Sequence, residues 1–246
     1  MTTRIALGIE YNGAAFYGWQ RQLSPALPTV QATVERALAR IAAHEVALSC
    51  AGRTDAGVHA ASQVVHFDAN IDRGAKAWVM GTNTHLPAEV RVQWATPVAD
   101  DFHARHSARS RRYRYILYDE PVKPTVLVNQ LTHVRSRLDS EAMHAAAQHL
   151  VGEHDFSAFC GNPKMKKSTV RFIRSIELRR CGEELRIYYT GNGFLQNMVR
   201  ILTGTLIEVG RGERSADSIP ALFGGKRAEA GFLAPAQGLC LQEVYY

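Results

Sequence analysis

Apolar residues alternate with small or polar ones at the start of the chain. In "RIALGIEY" Ile5, Leu7, Ile9 and Tyr11 fall on every second position, the period of a strand with one buried face. Asn12-Gly13 then signals a turn. Val30, Val34, Ala37, Leu38 and Ile41 follow at helical spacing, with Thr29 placed to cap the helix just after Pro28. Strands are predicted near 45–50 and 62–68, then a helix around 75–85 ended by Leu86-Pro87, then a strand in "VRVQWA". The order is β-α-β-β-α-β.

The same order returns. Tyr113, Tyr115 and Leu117 share one face of a strand in "RRYRYILY", and Met143, Ala146, Ala147 and Leu150 mark a helix that Gly152 is placed to stop. Strands near 170–179 and 184–190 follow. A helix in "FLQNMVRILTGTLIEVG" carries Leu195, Met198, Val199, Leu202, Leu206 and Val209 on one face. A short helix over 219–223 leads into a final strand, "GLCLQEVYY". The repetition predicts an α+β fold of two ferredoxin-like halves, residues 1–108 and 109–246, each an antiparallel sheet with helices over one face. Joined, they form an extended antiparallel sheet with a central active-site cleft.

Composition narrows the class. With 246 residues, 46% hydrophobic and 21% charged, the chain has the balance of a soluble globular protein and not of a disordered one. Lys and Arg total 29 against 23 Asp and Glu, a net charge of +6 that favours a polyanionic partner. No cationic leader with a following apolar stretch opens the chain, and no apolar run is long enough for a bilayer, so the expectation is a cytoplasmic protein away from membranes. The four cysteines are scattered without a C-x-x-C pair, and neither "HARH" (His103, His106) nor the five-spaced His144, His149 and His154 has ligand spacing. No metal is expected.

Two stretches carry candidate chemistry. In "RHSARSRRYRY" Arg105, Arg109, Arg111, Arg112 and Arg114 interleave with Tyr113 and Tyr115, with no acid among them. Guanidinium groups grip phosphates and tyrosine rings stack on exposed bases, which suits RNA or single-stranded DNA; a solvated arginine-rich edge strand has the same composition. Lys164, Lys166, Lys167, Arg171 and Arg174 form a second basic group in a loop leading into a strand.

The other stretch is "CAGRTDAGVHA". Its single acid, Asp55, lies among small residues that let a ligand approach, although an aspartate in a glycine-containing turn often only bonds its own backbone. The lack of a local second acid argues against a paired-carboxylate glycosidase and against clustered-acid magnesium chemistry. A lone carboxylate can still be a nucleophile, and Arg53 or Arg200 is a possible cationic partner for it. Arg200 lies on an otherwise apolar helix, where a long side chain also snorkels to the surface. G-x-S-x-G, Walker and G-x-G-x-x-G motifs are absent, so no nucleotide cofactor is expected.

Together "GIEYNG…FYGWQRQ", "AGRTDAGVHA…QVVHF", "FHARHSARSRRYRY", "GNGFLQNMVR" and "APAQGLCL", in order along nearly the whole chain, resemble the tRNA pseudouridine synthase A family. The resemblance implies an isomerase that converts uridine to pseudouridine at positions 38, 39 and 40 of the tRNA anticodon arm, with no cofactor. It implies that Asp55 is the catalytic nucleophile, that Tyr113 stacks on the flipped uracil and is a candidate acceptor of the C5 proton, and that Arg200 pairs with the aspartate. It also implies that Arg53 helps to displace the target nucleotide, and that the enzyme is a homodimer acting on tRNA. Arg109, Arg111, Arg112 and Arg114 are expected to bind the RNA. The alternatives are a related synthase with another target position or RNA, and a non-catalytic ferredoxin-like RNA-binding protein.

Overall fold

The computed structural model describes residues 2–22, 27–71, 73–163 and 168–246. By their contacts they divide into two compact units, Met1–Arg109 with Cys240–Tyr246, and Ser110–Leu239. The secondary structure is mixed α and β, with mostly antiparallel strand pairing.

In the first unit the opening alternation becomes β1 (Thr3–Tyr11), whose Ile5, Leu7, Ile9 and Tyr11 are all buried. Helix α1 (Val30–Ala42) follows, capped by the Thr29 hydroxyl, which accepts from the Ala32 amide. Strand β2 (Ser49–Cys50) is much shorter than the six residues expected. The cause lies in α1. The Glu35 carboxylate takes the Leu48 amide at 3.0 Å and the Gln31 amide donates to the Leu48 carbonyl, so side chains hold backbone groups that a longer ladder would have used.

Strand β3 (His59–Ala69) pairs antiparallel with β1 on one edge. Its other edge is shared. β2 pairs with it at His66 and Val65, and the final strand β10 (Leu239–Tyr245) runs parallel to it at His59 and Ala60. The expected helix over 75–85 begins as α2 (Gly74–Lys76) and widens to π geometry over Ala77–Gly81, with Trp78 buried edge-on against Phe67. β4 (Val90–Pro97) completes the unit beside β1.

In the second unit β5 (Ser110–Tyr118) pairs antiparallel with β9 (Glu184–Gly191), β9 with β8 (Val170–Cys181), and β8 with β7 (Gly152–Asp155). Short β6 (Thr132–His133) runs parallel to β5. Neither β6 nor β7 was expected. Gly152 does not cap α3 (Ser140–His149) but opens β7 with φ +111°, a conformation that needs glycine.

Helix α4 (Met198–Gly210) starts three residues later than the apolar spacing from Leu195 implies. Its C-terminal Gly210 lies directly against the Met143 side chain of α3. The Tyr189 hydroxyl of β9 meets Thr203 of α4 at 2.9 Å, so α4 covers the buried face of this sheet. The expected helix near 219–223 is a 3-10 segment, Ala216–Leu222.

Candidate active site

Asp55 lies in the connection between β2 and β3, half-buried, between exposed Arg53 and half-buried Gly57. Its backbone carbonyl accepts from the Val58 amide at 3.2 Å, closing a turn with Gly57 at φ +78°. The loop is clamped from the segment that follows β1. The Tyr11 hydroxyl meets the Thr54 hydroxyl at 2.8 Å, the Trp19 amide donates to the Thr54 carbonyl at 3.0 Å, and the Gly57 amide donates to the Phe16 carbonyl at 3.2 Å.

Two glycines make this approach possible. A Cβ on Gly13 would lie 2.0 Å from the Val58 carbonyl oxygen, and one on Gly18, which has φ +90°, would lie 2.8 Å from that of Thr54. The motif "YNGAAFYGW" is therefore the mount of the Asp55 loop. On the upstream side, fully buried Gln63 bonds both the amide and the carbonyl of Gly52. Thr54 is buried while Asp55 is only half-covered.

Arg53 and Arg105 are exposed, and both act electrostatically on Cys50. Burial nevertheless dominates there and pushes the Cys50 thiol up to about 11, which keeps it protonated at neutral pH.

The arginine strip does not form one surface. Arg109 is exposed in the first unit, where its amide donates to the Tyr245 carbonyl. Along β5 the strand period separates the rest. Arg111, Tyr113 and Tyr115 are buried on one face, while Arg112 and Arg114 are half-exposed on the other.

Arg111 donates to the Asn192 carbonyl at 2.8 Å. Arg112 lies 4.8 Å from the centre of the Tyr188 ring and 3.6 Å from Glu177. Arg114 has its Nε buried without a hydrogen-bond partner among the described residues. Tyr113 is only 8% exposed, with the Phe194 ring edge-on at 5.2 Å. Phe194 belongs to "GNGFLQN", so one quoted motif fixes the ring supplied by another.

Arg200 does not snorkel. It is half-buried, its Nε donates to the Ala234 carbonyl at 2.8 Å, and its NH1 group lies 3.4 Å from Asn197 Oδ1. Ala234, of "APAQ", is fully buried and returns a bond from its amide to the Arg200 carbonyl. Asn197 precedes α4 in the left-handed conformation at φ +62°. The charge of Arg200 also reaches Tyr115, two positions beyond Tyr113 on the same strand face. The Tyr115 hydroxyl is held at 2.6 Å by both Thr132 and the Pro235 carbonyl, and burial raises its pKa far above the ordinary phenol value against the opposing pull of Thr132 and Arg200.

In the second unit Tyr113 packs against Phe194 and Arg200 is held by Asn197, two partners that sequence reasoning missed. Asp55 and Arg53 stand on the clamped loop of the first unit. Of the second basic group, Arg171 and Arg174 lie on β8, whereas Lys164, Lys166 and Lys167 fall outside the described residues. Among the described residues no group of three or more His, Cys, Asp or Glu side chains could hold a metal ion, and no helix is long and apolar enough to cross a membrane.

The sequence profile of a tRNA pseudouridine synthase family matches residues 8–107 and 146–246. The chain is 46% identical over 244 residues to the tRNA pseudouridine synthase A of Vibrio campbellii, covering 99% of this chain and 92% of that protein. It is 46% identical to the protein of the same name from Photobacterium profundum and 45% to that from Shewanella woodyi, in each case over 99% of this chain and 93% of the relative. On these matches the chain belongs to the tRNA pseudouridine synthase family, whose members are isomerases.

Proposed function

We propose that this enzyme isomerises uridine to pseudouridine at positions 38, 39 and 40 in the anticodon arm of tRNA, with Asp55 as its nucleophile. The observation that carries the reading is the mount of Asp55: Thr54 and Gly57 are pinned on either side of it while its own side chain is left half-exposed. In this reading residues 1–108 and 109–246 are two ferredoxin-like halves. The first supplies Asp55 and Arg53; the second supplies Tyr113 and Arg200.

The reaction conserves every atom. The bond from N1 to C1′ breaks, the uracil turns, and C5 bonds to C1′; C5 then loses its proton and N1 gains one. Asp55 either attacks C1′ or acts through a glycal-like elimination product. Tyr113 stacks on the freed uracil and takes the C5 proton, while Arg200 keeps the carboxylate charged. Extruding the nucleotide costs a few kcal/mol, which stacking on Tyr113 and insertion of the Arg53 guanidinium offset in part. Water and oxidants enter nowhere, so the reaction is cofactor-free. The reading extends to a cytoplasmic homodimer on one tRNA.

Purified protein incubated with unmodified tRNA labelled at uracil C5, without added cofactor, should release the label. Asp55→Asn should lower turnover by at least about 10⁴-fold while tRNA affinity stays within a few-fold. Comparable turnover in the variant would remove Asp55 from the chemistry. Mapping of the product reads the positions, and pseudouridine formed only elsewhere would favour a synthase of different target.

A further inference from the structure

The loop that holds Asp55 has a neighbour that the reaction does not use. On the first unit a groove of about 660 Å³ runs between α1 and the turn before β4. Its lining includes Phe16, Arg36, Arg40, Thr84, His85 and Glu89. Arg36 and Arg40 are exposed and stand one helical turn apart on the same side of α1. Among the described residues neither guanidinium takes part in a hydrogen bond or an ion pair, in contrast to the engaged Arg111, Arg112 and Arg200. Two arginines against the single carboxylate of Glu89 leave the lining positive.

The groove is also continuous with the catalytic loop. Phe16 forms part of its wall, and the carbonyl of Phe16 accepts the Gly57 amide two residues beyond Asp55. A tRNA is far larger than a pocket for one base, so the strand flanking a nucleotide bound at Asp55 has to continue over adjoining surface. A groove of the right charge on this unit includes Phe16 in its wall.

We propose that this groove is a track for the phosphodiester backbone of the tRNA substrate, with Arg36 and Arg40 each gripping a phosphate. The proposal rests on the tRNA-isomerase reading given above. Planar guanidinium groups bind phosphate oxygens in pairs, and a spacing of one helical turn suits neighbouring phosphates. Neither arginine touches the reacting base, so both act on binding alone.

The test is the double variant Arg36→Gln/Arg40→Gln of the whole chain, with Arg36→Lys/Arg40→Lys as the charge-retaining counterpart and Arg135→Gln, on the other unit, as the control. Affinity for unmodified tRNA is measured by filter binding over a range of salt, and turnover by label release from C5. The glutamine variant should raise Kd and KM roughly tenfold, leave kcat within about twofold, and lower the slope of log Kd against log salt by about 2, one per lost phosphate contact. The lysine variant should keep most of the slope, and Arg135→Gln all of it. Unchanged Kd and slope in the glutamine variant, or a fall in kcat with KM constant, would overturn the track. Absence of label release by the wild type would instead defeat the underlying reading, and the binding arm would still decide whether the groove holds tRNA.

Discussion

Asn197 joins strain and chemistry in one residue. Its φ of +62° is a conformation that costs a residue with a Cβ on the order of 1 kcal/mol, with asparagine among the types that bear it best. Its Oδ1 faces Arg200. Two variants separate these roles. Asn197→Ala should lose about 1 kcal/mol of stability relative to Asn197→Gly in urea unfolding, because only glycine is at ease at this φ. Both should lower kcat roughly tenfold at unchanged tRNA affinity, since both release the guanidinium from Oδ1. Wild-type kcat in the glycine variant would show that Oδ1 of Asn197 is not needed to orient Arg200.

Asp55, Tyr113 and Arg200 are singled out in the sequence because each stands in one of the motifs that carry the family resemblance. Asn197 sits in the same motif as Arg200 and was hidden by an apolar spacing. Leu195 and Met198 are three apart as in a helix, but the spacing is equally met by a tight loop in which the Leu195 amide lies against the Met198 sulfur.

At the scale of elements, the useful contrast is between patterns that local periodicity sets and those that distant partners set. β1 and α1 follow from alternation and capping alone. β2 does not, because the Leu48 backbone is held by Glu35 of another element, and nothing local to 45–48 reveals that. The arginines of β5 mislead in another way: counted as charge they form a run, whereas the two-residue period of a strand puts Arg111 with the core and Arg112 with Tyr188.

The segment between β1 and α1 gives a test of the clamp. Gly18→Ala meets both an unfavourable φ and the Thr54 carbonyl, so it should cost about 1–3 kcal/mol of stability. Its turnover should fall even at a temperature where the variant is fully folded, because Thr54 precedes Asp55. Full turnover of the folded variant, measured beside its urea midpoint, would separate the clamp from the placement of the carboxylate.

For the molecule as a whole, a net charge of +6 was legible from composition, but the way histidines tie the first unit together was not. "HARH" has no ligand spacing, and its partner lies far away in sequence. His66 of β3 accepts the Ala104 amide through Nδ1 at 3.1 Å, its ring is 4.7 Å from that of His103, and His103 is 4.3 Å from His106. Burial chiefly, then the charges of His103 and Arg4, bring the pKa of His66 down to about 4, with only Asp68 opposing. His103 is lowered too, again mainly by burial.

A histidine whose folded pKa is depressed stays neutral in the fold while the unfolded chain takes up a proton. Stability is therefore undiminished above the ordinary histidine pKa and falls as pH drops from about 6.5 towards about 4. The urea midpoint should be lower at pH 5 than at pH 7.5, and amide exchange should show protection lost in β3 and the 102–107 segment. His66→Asn, which puts a non-titrating acceptor close to the position of Nδ1, should flatten that dependence and leave the part due to His103. An unaltered slope in this variant would assign the acid response to other groups.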